Sequence, residues 1–243
     1  MLFSLLFNNT DPTDVSTFSG YYHFAATTMA GASEHLVIAN IPDVTLTAYL
    51  TSVPNLAAIL NLSVDEVGKL GLTPGDMVTP YAFPFIQAMQ AARSFAPLPD
   101  SVPQGPIVIR AARLSQIRAD VIGYNAAIAY EAAANGATLV DIYSLVNDLA
   151  AHGAVVGGQK LTTGFMGGLF SLDGVHPTNT GYAIIANEFI KTMNRSLQAA
   201  IPPVSVEQVS KTDPLIFPES DRGKHTGHVS VGMADGLRVL GRR

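Results

Sequence analysis

Two short apolar runs limit what this chain can build more than any other feature. Residues 36–40, in "HLVIANIPDVT", and 138–143, in "ATLVDIYSL", read as buried strands. Short runs that are apolar at successive positions suit a parallel sheet covered on both faces. Each follows a segment with helical spacing. In residues 14–33, Asp14 is a candidate N-cap, and Phe18, Tyr21, Tyr22 and Ala25 repeat at helical steps. In residues 112–135 the series is Leu114, Ile117, Val121, Tyr124, Ile128 and Glu131, stopped by Gly136. Helix and strand in alternation predict an α/β domain with a parallel sheet. Two core strands are few for such a sheet, which therefore reads as short of strands.

The rest of the chain divides by its punctuation. Residues 54–70 predict two helical pieces, the second opened by the capping-box pattern Ser63-x-x-Glu66. Residues 76–110 hold six prolines and read as a surface excursion able to wall a pocket. Residues 153–176 hold seven glycines and read as one long, partly apolar connection, of a length that is usually functional. A helix is expected over 178–198, with Ile184, Ile185, Phe189, Ile190 and Met193 on one face. Beyond it the periodicity fades. The expected organisation is one domain over 1–203 and a mobile tail over 204–243.

Composition excludes several classes. A net charge of -5 with no basic stripe argues against nucleic acid and against a basic membrane-binding surface. The absence of cysteine removes disulfides, thiolate nucleophiles and cysteine-based metal sites. His23, His35 and His152 are scattered without ligand spacing, so no metal site is expected. The opening "MLFSLLF" lacks a basic leader and a small-residue cleavage site, and reads as a poor signal peptide. No run approaches the roughly 18 apolar residues of a membrane span. Compartment is not legible.

The chemistry concentrates in "SLDGVHPTNTGY", residues 171–182. A nucleophilic hydrolase needs a neutral imidazole as base, held in one tautomer by a carboxylate on its other nitrogen. Asp173 and His176 stand three positions apart. Gly174 between them lets the loop fold back, and Pro177 stiffens the exit into a helix. A bare Asp-x-x-His is more often a capped turn beside a surface imidazole. The longer pattern changes that reading.

"DGVHPTNTGY" resembles the last conserved block of the SGNH hydrolases, the GDSL esterase and lipase family, with Asp173, His176, Pro177, Thr178, Gly181 and Tyr182 in register. "HLVIANIPDVT" resembles that family's strand ending in Asn-x-Pro. "IRADVIGYNAAIAYEAAANGATLVDIYSL" resembles its long helix and following strand, and "LTTGFMGGLFSLDGVHPT" its approach to the catalytic loop. The similarity covers roughly residues 14–202. It implies a three-layer α/β/α, flavodoxin-like sheet between helices, with the first strands missing here. It also implies hydrolysis of a small acyl ester through an acyl-serine, without metal or cofactor. Asp173 would orient His176, and His176 would be the general base. The Pro-rich segment 76–110 and the loop 161–170 would shape an acyl pocket. Members of the family are often secreted or periplasmic.

The family's nucleophile lies in a Gly-Asp-Ser block and its oxyanion hole draws on a Gly-x-Asn-Asp block. Neither occurs in this sequence. Ser33 precedes a strand where an elbow serine must follow one. Gly75-Asp76 is followed by Met77, and Ser19 lies inside a helix. The expected function is a carboxylic-ester hydrolase. The alternative is a weak or inactive member acting as a binding or structural remnant. A short sheet with unpaired edges also makes a homo-oligomer an expectation.

Overall fold

The fold is taken from a computed structural model, which describes residues 10–216. The first helix, α1 (Val15–Ala32), starts where Asp14 accepts the amide of Thr17 at 2.9 Å. It leads into strand β1 (Val37–Ala39) and a 3-10 turn at Val44–Leu46. Next come β2 (Thr51–Ser52), α2 (Val53–Leu60), α3 (Val64–Lys69), β3 (Met77–Val78) and α4 (Ala82–Ala92). The strands β4 (Ser101–Val102), β5 (Gly105–Pro106) and β6 (Val108–Ile109) precede the longest helix, α5 (Ala111–Ala134). The chain continues through β7 (Thr138–Val140), α6 (Ile142–His152), the hairpin β8 (Ala154–Val156) and β9 (Gln159–Leu161), α7 (Asn179–Leu197) and α8 (Val206–Thr212).

The protein is thus of the mixed α/β class, with small sheets. The two runs singled out in the sequence pair with each other. β1 and β7 are parallel, with Val37 opposite Thr138 and Ala39 opposite Val140. Successive side chains of a strand point to opposite faces, and both faces here are covered. Ile38 and Leu139 pack with Ala26 of α1 and with Ile128 and Ala132 of α5. Val37, Ala39 and Val140 pack with Ile142 and Val146 of α6 and with Ile185 and Phe189 of α7. This double cover is why apolar residues stand at successive positions in both strands, with Thr138 the exception. A fully buried isoleucine such as Ile128 contributes about 1.5–3 kcal/mol by its burial.

Residues 54–70 form the two expected helices, α2 and α3, but residues 76–110 differ from expectation. Instead of a surface excursion they join these helices in an apolar cluster: Leu56, Leu70, Val78, Phe83, Ile86, Leu98, Ile107 and Val108. Antiparallel pairing of β3 with both β2 and β6 forms a three-stranded sheet beside it. The prolines do not prevent this, because they sit where no ladder or helix amide is needed. Pro54 lies in the first turn of α2, Pro84 in that of α4, and Pro97 and Pro99 lie in the connection after α4. A fourth cluster, with Val44, Tyr49, Leu50, Ile109, Leu114, Ile117 and Val121, joins this segment to α5.

α5 has no side-chain cap of its own at Arg110. Asp76 serves instead, accepting the amide of Ala111 at 2.9 Å and an N–H of Arg110 at 3.1 Å. The seven-glycine stretch is likewise more regular than expected, since the β8–β9 hairpin occupies its first part.

The expected tail is not free over its described part. Residues 206–212 form α8, and Asp213, 5% exposed, accepts both the amide and the hydroxyl of Thr180 in the first turn of α7. A buried carboxylate supplies there what apolar periodicity could not advertise. The remainder of the expected tail, 217–243, lies outside the described residues, as does the "MLFSLLF" opening. Among the described residues no helix is long and apolar enough to cross a membrane.

Candidate active site

The loop 169–178 is held at both ends before any side chain acts. Phe170 and Pro177 face each other in an antiparallel bridge, and the Ser171 amide donates to the His176 carbonyl at 2.7 Å. Thr178 caps α7, accepting the Gly181 amide at 3.1 Å, and donates its hydroxyl to the Gly168 carbonyl at 2.8 Å. A β-carbon at position 181 would lie 2.5 Å from the Leu169 carbonyl oxygen, so this close crossing requires glycine. The Pro-Thr-x-x-Gly pattern is the local code that ties the loop to the start of α7.

Within this frame the turn closes on Asp173. Gly174 adopts φ +73°, its amide donates to the Ser171 carbonyl at 2.9 Å, and its carbonyl accepts the amide of Tyr49 at 2.8 Å. One carboxylate oxygen, Oδ1, takes three donors: Ser171 Oγ at 2.7 Å, the Val175 amide at 2.8 Å and the His176 amide at 2.9 Å. The other, Oδ2, lies 2.7 Å from His176 Nδ1. An ionised carboxylate only accepts, so Nδ1 carries a proton, and the neutral form of the imidazole presents its lone pair at Nε2. Burial pushes the Asp173 carboxyl up, but the Ser171 and His176 side chains and the two loop amides outweigh it and hold it below the ordinary carboxylate range.

The imidazole is open to solvent, with its side chain 67% exposed against 26% for Asp173. Among the described residues, no serine hydroxyl is hydrogen-bonded to His176. The loop lies at the carboxyl side of the β1–β7 pair. Val175 packs on the cluster around Tyr49 together with Ile41, just past β1, and Tyr143, just past β7. Open α/β sheets place their sites on that side. The strand ends there are tied together. Asn40 donates to Asp141 Oδ1 at 2.7 Å and accepts the Tyr143 amide at 2.7 Å, while Asp141 caps α6.

The other serines considered are engaged elsewhere. Ser33 Oγ donates to the Met29 carbonyl and Ser19 Oγ to the Val15 carbonyl, both at 2.7 Å, as helix serines do. Asp76, in the Gly-Asp-Met stretch, is the external cap of α5. Of the histidines, His23 Nδ1 lies 3.0 Å from the buried Glu131 and His152 Nδ1 2.8 Å from Asp148. Among the described residues, no group of three or more His, Asp or Glu is placed to hold a metal ion.

An open groove of about 570 Å³ lies against α3 and α4, lined by Ser63, Asp65, Glu66, Lys69, Gln90, Arg93 and Phe95. Residues 76–110 supply part of this wall and 161–170 none of it; its lining is largely polar and includes neither Asp173 nor His176. Sequence reasoning missed two parts of the site, Ser171 and Tyr49. A serine two positions before an aspartate is a usable signal for a turn that saturates the carboxylate. Tyr49 carries no such signal.

No family model, no curated protein and no solved structure matches this chain.

Proposed function

We propose that the protein is a carboxylic-ester hydrolase of the SGNH type. Asp173 orients His176, and His176 takes the proton from a serine as that serine attacks the ester carbonyl. The same nitrogen then returns the proton to the leaving alkoxide, and a water repeats the cycle on the acyl-enzyme. The observation that carries this reading is the saturated carboxylate: three donors fix Asp173 Oδ1, and Oδ2 is left for His176 Nδ1 at 2.7 Å. An ordinary capped turn needs no imidazole on its second oxygen. In this reading β1 and β7 are the last two strands of a flavodoxin-like sheet. The substrate is a small acyl ester, and the reaction asks for no metal or cofactor.

A second reading, a weak or inactive member that binds rather than turns over esters, is favoured by one observation. No serine hydroxyl among the described residues is hydrogen-bonded to His176. A fluorophosphonate probe followed by mass spectrometry separates the two. An adduct on one serine, lost in His176→Ala, supports the hydrolase and names the nucleophile. A folded protein that takes no adduct supports the second reading.

A further inference from the structure

We infer that Ser171 is a positioning residue, whose hydroxyl locks the Asp173 carboxylate in the rotation that faces His176. The terminal torsion of an aspartate is soft and roughly two-fold. A carboxylate that must hold an imidazole therefore needs one oxygen fixed from outside. Two of the donors to Oδ1, the amides of Val175 and His176, come with the turn itself. The third, Ser171 Oγ at 2.7 Å, is the side-chain donor, and a hydroxyl on a carboxylate at that distance makes a strong, charge-assisted bond.

The backbone of Ser171 is fixed independently of its side chain. Its amide donates to the His176 carbonyl and its carbonyl accepts the Gly174 amide. The hydroxyl is thus aimed from a rigid base, and removing it leaves the loop's backbone bonds in place. Among the donors that hold the Asp173 carboxyl down against its burial, Ser171 is the largest contributor. The same bond directs Ser171 away from the nucleophile's role, since its hydroxyl is committed to Asp173 on the far side of the relay from Nε2. The sequence therefore encodes Ser171, Asp173 and His176 as one chain, with the serine behind the acid.

The catalytic meaning of this inference rests on the proposed hydrolase, so the test reads the loop first and turnover second. In the full chain labelled at Asp and His, carbon and nitrogen NMR report the Asp173 titration and the His176 tautomer. Ser171→Ala is expected to move the Asp173 midpoint upward and to mix the His176 tautomers. Ser171→Cys, similar in shape with a weak donor, is expected to move both in the same direction. Ser171→Thr, which keeps the hydroxyl, is expected to stay near the parent. Protection of the Tyr49 amide from exchange shows that the loop is still docked. In a hydrolysing protein, Ser171→Ala should lower kcat about tenfold at nearly constant KM, the loss of one such bond. Parental titration and tautomer in docked Ser171→Ala and Ser171→Cys would overturn the inference, and so would Ser171→Thr behaving as Ser171→Ala. The expected NMR shifts without any ester hydrolysis would retire the hydrolase reading alone.

Discussion

The carbonyl of Gly174 accepts the amide of Tyr49 at 2.8 Å, and a β-carbon on Gly174 would stand 2.7 Å from that same nitrogen. The Asp173–His176 turn is thus stacked directly on backbone from the segment after β1. Tyr49 is itself completely buried, and its hydroxyl is pushed well above the usual tyrosine range, first by burial and then by Tyr81 beside it. The loop rests on a rigid platform.

Gly174→Ala tests that platform. The residue sits at φ +73°, where an alanine is strained, and its methyl would meet the Tyr49 backbone. The variant should lose at least about 2 kcal/mol of stability and undock the loop. Thermal unfolding and exchange of the Tyr49 amide measure both; a parental Tm with a protected amide would refute the close contact.

Acid should destabilise the fold. Burial pushes up the carboxyls of Asp76 and Asp173, but in each case the surrounding donors outweigh it and hold the group below its ordinary value. A carboxyl depressed in the folded state adds stability that is fully present above its unfolded value, near about 3.9. That stability is lost as pH falls through the lower, folded value. Urea midpoints should therefore be level from about pH 7 to 5 and fall below about pH 4. A midpoint that rises below pH 4 would contradict these assignments.

The locally encoded parts of the fold were legible in the sequence. Where 138–143 reads as strand, β7 stops at Val140 and α6 begins at Ile142; the helices α1, α5 and α7 and the strand β1 appear within a residue or two of where periodicity puts them. So does the Asp173–His176 turn, because its geometry is set by residues next to one another. In the segment between β1 and α5 the two helices over 54–70 were legible, and residues 76–110 were not. The strands β2, β3 and β6 are two residues long, too short to show alternation, and the prolines look like breakers whether they stand in a first helical turn, as Pro84 does, or in a connection, as Pro97 and Pro99 do. Tyr49 beneath Gly174 and Asp213 beneath Thr180 are contacts between distant segments, which no local pattern records.

The β1–β7 pair predicts association. Among the described residues each strand pairs only with the other, so each has an outer edge without a strand, and such edges recruit partners. Light scattering at micromolar concentration is expected to give a multiple of the 25.6 kDa chain mass. A monodisperse monomer would show that the helices shield those edges well enough.

The central claim is that Asp173 and His176 act as one catalytic pair, and hydrolysis of p-nitrophenyl butyrate by the parent and by His176→Ala tests it most directly. The account predicts turnover in the parent, a fall in kcat of about 10³-fold or more in His176→Ala with its unfolding temperature nearly unchanged, and a smaller fall in Asp173→Asn. A folded His176→Ala protein that hydrolyses the ester within about twofold of the parent would contradict it.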